Sequence, residues 1–232
     1  MAEVPMNKEP VGGGRALIRS VWSGGVRDIT SEGAEILLDS TLEEGLLRDI
    51  PVFGWIAKTY GLVNTLRERI FLQKIFRFLQ GAQATTAEER SAFAERMEAE
   101  PEYQRKVGEG LFLLLDRHEN VDKSELLGRV FASFVRNEIS DEEFQRYSFI
   151  IDRLFLRDLI NLGRHYDNIA EFEVSRKRGD KLGLKQFLDE KTTQALFGNG
   201  LLDSDEHTET TYNRNNLGEK LIRLIRPEKD GV

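Results

Sequence analysis

The sequence predicts a mainly α-helical protein: a helical bundle over residues 16–165, then a small winged-helix-like unit over 166–232 with a short two-stranded β-ribbon. Three observations predict it. Apolar residues recur three and four apart through much of the first part of the chain, the spacing of a single helical face. Residues 86–163 carry no strand signal, and only Pro51 and Pro101 interrupt the body of the chain. After Tyr166 the order becomes helix, two apolar residues, an acidic tip, Thr-Thr-Tyr and a closing helix, which is the order of a winged helix.

Residues 1–15 are polar, include Gly12-Gly13-Gly14 and are assigned to a flexible tail. Gly33 to Leu47 is a weak helix, Asp49-Ile50-Pro51 a turn, and Leu62 to Leu79 helical by pattern. Thr86 and Glu89 form a capping box in which hydroxyl and carboxylate each accept the other residue's N–H, opening a helix over 87–99. Pro101 suits the first position of the next helix, where its missing N–H would have no partner anyway. Tyr103, Val107, Leu111, Leu114 and Leu115 carry that helix to Arg117 or His118. Leu126, Leu127, Val130, Phe131, Phe134 and Val135 mark another amphipathic helix. Ser140 and Glu143 give a second capping box, and Phe144, Tyr147, Ile151, Leu154, Phe155, Leu159 and Leu162 predict one continuous stripe to Gly163. Phe187 to Phe197 forms a helix running into Gly198-Asn199-Gly200, residues that favour a left-handed cap. Asn216 with Glu219 opens the last helix, with Leu217, Leu221, Leu224 and Ile225 on one side.

A chain of 232 residues that is 40% hydrophobic can bury a real core, which excludes disorder throughout. The absence of cysteine excludes disulfides, thiol nucleophiles, iron–sulfur clusters and cysteine-bound zinc, and fits a reducing compartment. A net charge of −7 argues against phosphate binding by the whole surface, so any such role is local. The first 15 residues do not resemble a secretory signal. The most apolar stretch, Ile50 to Leu66, is 17 residues long with Lys58 near its middle, short of the about 20 a spanning helix needs. The expectation is a cytoplasmic protein, with peripheral contact at the inner membrane as the alternative.

Two segments carry candidate binding residues. Between Arg48 and Gln80, six cations (Arg48, Lys58, Arg67, Arg69, Lys74 and Arg77) face two acids (Asp49 and Glu68), a local net of +4. With Trp55, Tyr60, Phe71, Phe76 and Phe78 this block has the makings of an anionic-membrane contact through Trp55, Lys58, Arg67, Arg69, Lys74 and Arg77. A buried helical hairpin explains the same apolar content. In the winged-helix-like unit, Arg176, Lys177, Arg178, Lys181, Lys185 and Lys191 are the candidate nucleic-acid contacts, with Lys191, Thr192 and Gln194 presented to a groove. Charge opposes that reading: residues 170–232 hold 11 Lys and Arg against 12 Asp and Glu, and the proposed wing carries Asp203, Asp205, Glu206 and Glu209.

No pattern implies a metal, a cofactor or a catalytic residue. Asp116, His118, Asn120, Asp122 and Ser124 alternate like calcium-loop ligands, but Val121 and Leu127 stand where the turn glycine and bidentate glutamate belong. They read as a solvated interhelical loop with caps. His118, His165 and His207 are isolated, and there is no Walker loop or nucleophile elbow. Asp189-Glu190-Lys191 has the acid-x-lysine spacing of some nucleases but is assigned to a helix surface without a second carboxylate.

Leu38-Asp39-Ser40, Glu44-Gly45-Leu46-Leu47, Asp49-Ile50-Pro51-Val52-Phe53-Gly54, Lys74-Ile75-Phe76-Arg77-Phe78-Leu79, Lys106-Val107-Gly108-Glu109 and Leu126 to Phe134 form a pattern over residues 35–162. It resembles a helical family of bacterial and phage proteins, functionally unassigned and found near antiviral genes. Gly200-Leu201-Leu202, Tyr212 and Leu217-Gly218-Glu219-Lys220 are more distantly similar to the C-terminal element of the abortive-infection alpha family. Neither resemblance transfers a catalytic residue. Together they imply a bacterial or phage cytoplasmic protein in a phage-defence setting, and no more; the leading expectation for the chain is a non-enzymatic interaction or regulatory protein that binds a protein partner. A membrane-acting effector using 50–79 and a nucleic-acid-binding regulator are the alternatives, and homo-oligomerisation stays open.

Overall fold

The computed structural model describes residues 10–23, 49–60, 65–178, 188–204 and 212–226. Among these residues are the helices α1 (Pro10–Ser23), α2 (Pro51–Tyr60), α3 (Leu66–Gly81), α4 (Ala87–Ala99), α5 (Pro101–Arg117), α6 (Val121–Val135), α7 (Asp141–Arg153), α8 (Leu156–Arg178), α9 (Glu190–Gly198) and α10 (Asn216–Ile225). Two two-residue strands, β1 (Asp203–Ser204) and β2 (Tyr212–Asn213), lie between α9 and α10. The protein is mainly helical. The weak helix expected over 33–47 and the tip of the expected wing, 205–211, fall outside the described residues. Contacts divide the chain into two compact units, Met1–Phe144 and Gln145–Val232, so the division falls inside α7 rather than at the change of composition after Tyr166.

In the first unit α3 packs along α6, and α1 packs along α5 with α2 and α4 also against it. Both main crossings need glycine. Gly81 and Gly128 face the carbonyl oxygens of Glu125 and Phe78, where any side-chain carbon would overlap backbone. Gly14 and Gly108 meet backbone to backbone, and a Cβ on Gly108 would lie 2.5 Å from the Gly14 carbonyl oxygen. Gly13 rests under the rings of Trp55 and Phe112. The three glycines assigned to a tail are therefore inside α1. Their helix-propensity cost, about 1 kcal/mol each, is offset by close approaches that a larger residue would block, of Gly12 and Gly13 to Trp55 on α2 and of Gly13 and Gly14 to α5.

Phe93, Phe131, Phe134 and Phe144 form an aromatic cluster, with Phe93–Phe131 centroids 5.7 Å apart and Phe131–Phe144 5.3 Å apart. Buried Ser20 donates to the Ala16 carbonyl at 2.9 Å and accepts the Val52 N–H at 2.9 Å, supplying one of the end N–H groups of α2 with a partner. The Thr86–Glu89 and Ser140–Glu143 boxes form as predicted, and Thr65–Glu68 adds another at the start of α3. Asn120 caps α6, accepting the Asp122 N–H. His118 and Ser124 depart from the solvated loop expected there, since both are buried.

The stripe from Phe144 to Leu162 is not one helix. It breaks at Leu154 and Phe155, and α8 then starts at Leu156, where the Phe155 carbonyl accepts the N–H groups of Asp158 and Leu159. Neither proline nor glycine marks this break. In the second unit α9 and α10 pack against α8. Asp189 caps α9, and Gly200 takes the left-handed conformation (φ 72°) after its end, as the Asn-Gly signal predicts. Buried Leu201 and Leu202 lead into β1, which pairs antiparallel with β2 as Asp203 with Asn213 and Ser204 with Tyr212. Asn215, one residue before the expected position, caps α10.

Candidate functional site

Among its described residues, the segment from Ile50 to Leu79 spends most of its apolar side chains on the first unit's core, with Leu66 left exposed. Val52, Phe53, Ile56, Phe71, Leu72, Ile75, Phe76, Phe78 and Leu79 are buried, and half-buried Trp55 meets Phe112 edge to face with centroids 5.8 Å apart. Its cations split into two kinds. Lys74 is only 5% exposed and donates from Nζ to the Asp116 carbonyl oxygen at 3.0 Å. Burial holds its pKa below the usual lysine value, against the opposing pull of the Asp116 carboxylate. Arg77 donates to Gln80 Oε1 at 3.4 Å and lies 3.8 Å from the Glu125 carboxylate. Lys58, Arg67 and Arg69 are exposed, and Arg67 lies 3.7 Å from Asp116. Among the described residues no helix is long and apolar enough to cross a membrane.

Of the six cations assigned to nucleic-acid contact, Lys177 and Arg178 are exposed at the end of α8 and Lys191 is exposed at the start of α9. The side chain of Arg176, and Lys181 and Lys185, lie outside the described residues. Thr192 cannot face a groove because it is buried: its hydroxyl donates to Asp158 Oδ1 at 3.0 Å and its N–H to Asp189 Oδ1 at 2.7 Å. Asp158 is thus the second carboxylate near Asp189-Glu190-Lys191 that the sequence did not reveal. Both acids hold the start of α9, and among the described residues no three potential ligands group to bind a metal ion.

The second unit has a cleft of about 450 Å³ between α8 and α10. Its lining includes Tyr166, Asp167 and Ala170 from α8, Arg214 from the turn after β2, and Glu219, Ile222, Arg223 and Arg226. Arg226 donates to Asp167 Oδ1 at 2.7 Å and to the Gly163 carbonyl oxygen at 3.2 Å. Arg214 donates to Glu173 Oε2 at 2.7 Å and lies 3.4 Å from Glu219. Sequence reasoning missed this cleft because its residues come from three stretches of chain. Its local signal was the i, i+3 pair Arg223 and Arg226 on a helix whose other side is apolar.

Tyr166 anchors the cleft floor. Its hydroxyl donates to the Leu201 carbonyl oxygen and accepts the Asn215 N–H at 3.3 Å, while Gly218 leaves room for the ring's edge. Asn215 in turn accepts the Gly218 N–H at 2.9 Å and donates to Gly200 O at 2.8 Å and Asp203 Oδ1 at 3.0 Å, tying β1 to the start of α10. Tyr166→Phe would leave the Leu201 and Asn215 groups short of a partner, so we expect a loss of about 2 kcal/mol by urea denaturation followed by circular dichroism. Burial pushes the phenol up to about 12. Below pH 10 it is protonated in both states; from pH 10 to about 12 the unfolded chain ionises first, so this contribution falls as pH rises. Tyr166→Phe should lack that part of the alkaline decline, and an unchanged decline would count against it.

Among the described residues, exposed large apolar side chains are unevenly placed. Phe155 (78% exposed), Phe149, Val174, Ile160 and Phe197 are in the second unit, against Leu66 and Leu113 in the first. Phe149 lies under the Arg153 guanidinium, 5.1 Å from its ring centroid. No protein-family model, curated protein or solved structure matches this chain.

Proposed function

We propose that this chain is a non-enzymatic interaction protein that binds a protein partner through its C-terminal unit. The carrying observation is that five of the seven exposed large apolar side chains among the described residues lie there, Phe155 foremost. An exposed phenylalanine such as Phe155 adds little to a domain's own core, and apolar rings of this kind occur at interfaces, where desolvating them contributes to affinity. We read the unit as winged-helix-like. The order α9, β1, β2, α10, the left-handed Gly200 and the short antiparallel pairing support that reading. It serves protein contact rather than DNA contact, because Thr192 is committed to Asp158 and the wing residues are acidic. The resemblance to bacterial and phage proteins found near antiviral genes supports the reading of a cytoplasmic partner in that setting.

The test is photocrosslinking in cells of the encoding organism, with benzoylphenylalanine in place of Phe155 or Phe197 and, as a control, Lys58. A discrete adduct with another protein from the first two positions, and none from Lys58, is the expected result. An adduct of twice the chain's mass, a nuclease-sensitive adduct or none at all would overturn the reading.

A further inference from the structure

We infer that the cleft between α8 and α10 receives a carboxylate side chain from an acidic segment of the protein partner, with Arg223 as its principal contact. The inference rests on the partner-binding reading above and names the chemistry recognised. Three arginines line the cleft. Two already have carboxylates: Arg226 has Asp167, and Arg214 has Glu173 and Glu219. Arg223 is exposed and makes no ion pair among the described residues. Three arginines against Asp167, Glu173 and Glu219 leave the cleft and its ion-pair partners neutral, in a chain that carries −7 overall.

An arginine fork pairs bidentately with a carboxylate, and its neighbours are suited to what carries that group. Half-buried Ala170 and the accessible edge of the largely buried Ile222 lie beside the charge, in a cleft of about 450 Å³ that is open to solvent. Asp167 and Glu219 select against a nucleic-acid backbone, whose duplex presents a charge every ~1.7 Å and would meet these acids as well as the arginines. A peptide that places one carboxylate at Arg223 and apolar atoms at Ile222 avoids that repulsion. Asp167 also tunes the site, because it holds Arg226 away from an incoming acid.

The experiment measures anisotropy of a fluorescein-labelled peptide of alternating glutamate and leucine against the full-length chain at low ionic strength. Arg223→Glu should weaken binding about tenfold, and Asp167→Asn, which releases Arg226, should strengthen it about threefold. Lys106→Glu makes the same charge change on the exposed face of α5 and should alter binding less than about twofold. Both cleft positions are at the surface, and circular dichroism checks that each variant stays folded. Equal losses from Arg223→Glu and Lys106→Glu would overturn the assignment, as would no binding by the unsubstituted chain. So would Arg223-dependent competition by a single-stranded oligonucleotide stronger than that by unlabelled peptide. Failure of the peptide while the Phe155 and Phe197 adducts persist removes the cleft assignment alone; loss of both removes the partner-binding reading as well.

Discussion

Gly108→Ala is expected to destabilise the first unit by about 3 kcal/mol, whereas Gly110→Ala, two residues further along the same helix, should stabilise it by about 0.5–1 kcal/mol. The residue type, the helix and the added methyl are identical, so the difference isolates packing from propensity. At Gly108 the new carbon would stand 2.5 Å from the Gly14 carbonyl oxygen, and backbone on the facing helix cannot rotate away as a side chain can. α1 and α5 must then separate, which also weakens the contacts of Trp55 and Phe112 with Gly13. At Gly110 nothing lies within 4 Å, and alanine simply restricts the unfolded chain and favours the helix. Both tryptophans, Trp22 and Trp55, belong to the first unit, so their fluorescence during urea unfolding follows that unit alone. Similar midpoints for the two variants would show that the α1–α5 approach is not set by glycine.

The same glycines show what the sequence could and could not convey. Capping boxes and Pro101 are local chemistry, complete within four residues, and they fixed the starts of α4, α5 and α7. Gly12, Gly13 and Gly14 read locally as a tail, because the reasons for them are Trp55, Phe112 and Gly108, far along the chain and adjacent only once α1 packs on α2 and α5. The break between α7 and α8 was hidden for another reason. Apolar residues stay in helical register through it, and the clue was Asp158 in the first turn of a restarting helix, an acid placed where the helix dipole favours it. Asp158 then proved to be a structural partner of Thr192, which removed one side chain from the expected groove-facing set. The arginine cleft needed α8, the β2 turn and α10 brought together, a juxtaposition no single window of sequence contains.

Lys74→Glu should cost about 3–5 kcal/mol, and Lys74→Met less than about 1.5 kcal/mol. Glutamate would put a buried anion where Nζ now donates to the Asp116 carbonyl oxygen, with the Asp116 carboxylate close enough to repel it. Methionine keeps the apolar stem, forgoes one hydrogen bond and removes a charge that burial disfavours. The pH dependence separates these effects. Because folding lowers the Lys74 pKa from 10.5, the unfolded chain holds this proton more tightly, and stability rises with pH between the lowered folded value and 10.5. The alkaline stability of the wild type minus that of Lys74→Met should therefore rise across that window, and a flat difference would show that Lys74 titrates alike in both states. The buried position also changes how membrane contact must be tested. Lys74→Glu would loosen α3 and expose Phe71, Phe76 and Phe78, so altered vesicle binding by that variant would report unfolding rather than lost attraction. Arg67→Glu with Arg69→Glu alters only exposed cations. With the apolar face of α3 held in the core, the wild type should stay in solution beside anionic vesicles. Flotation that this double variant abolishes without a change in unfolding midpoint would instead place a lipid contact at the start of α3.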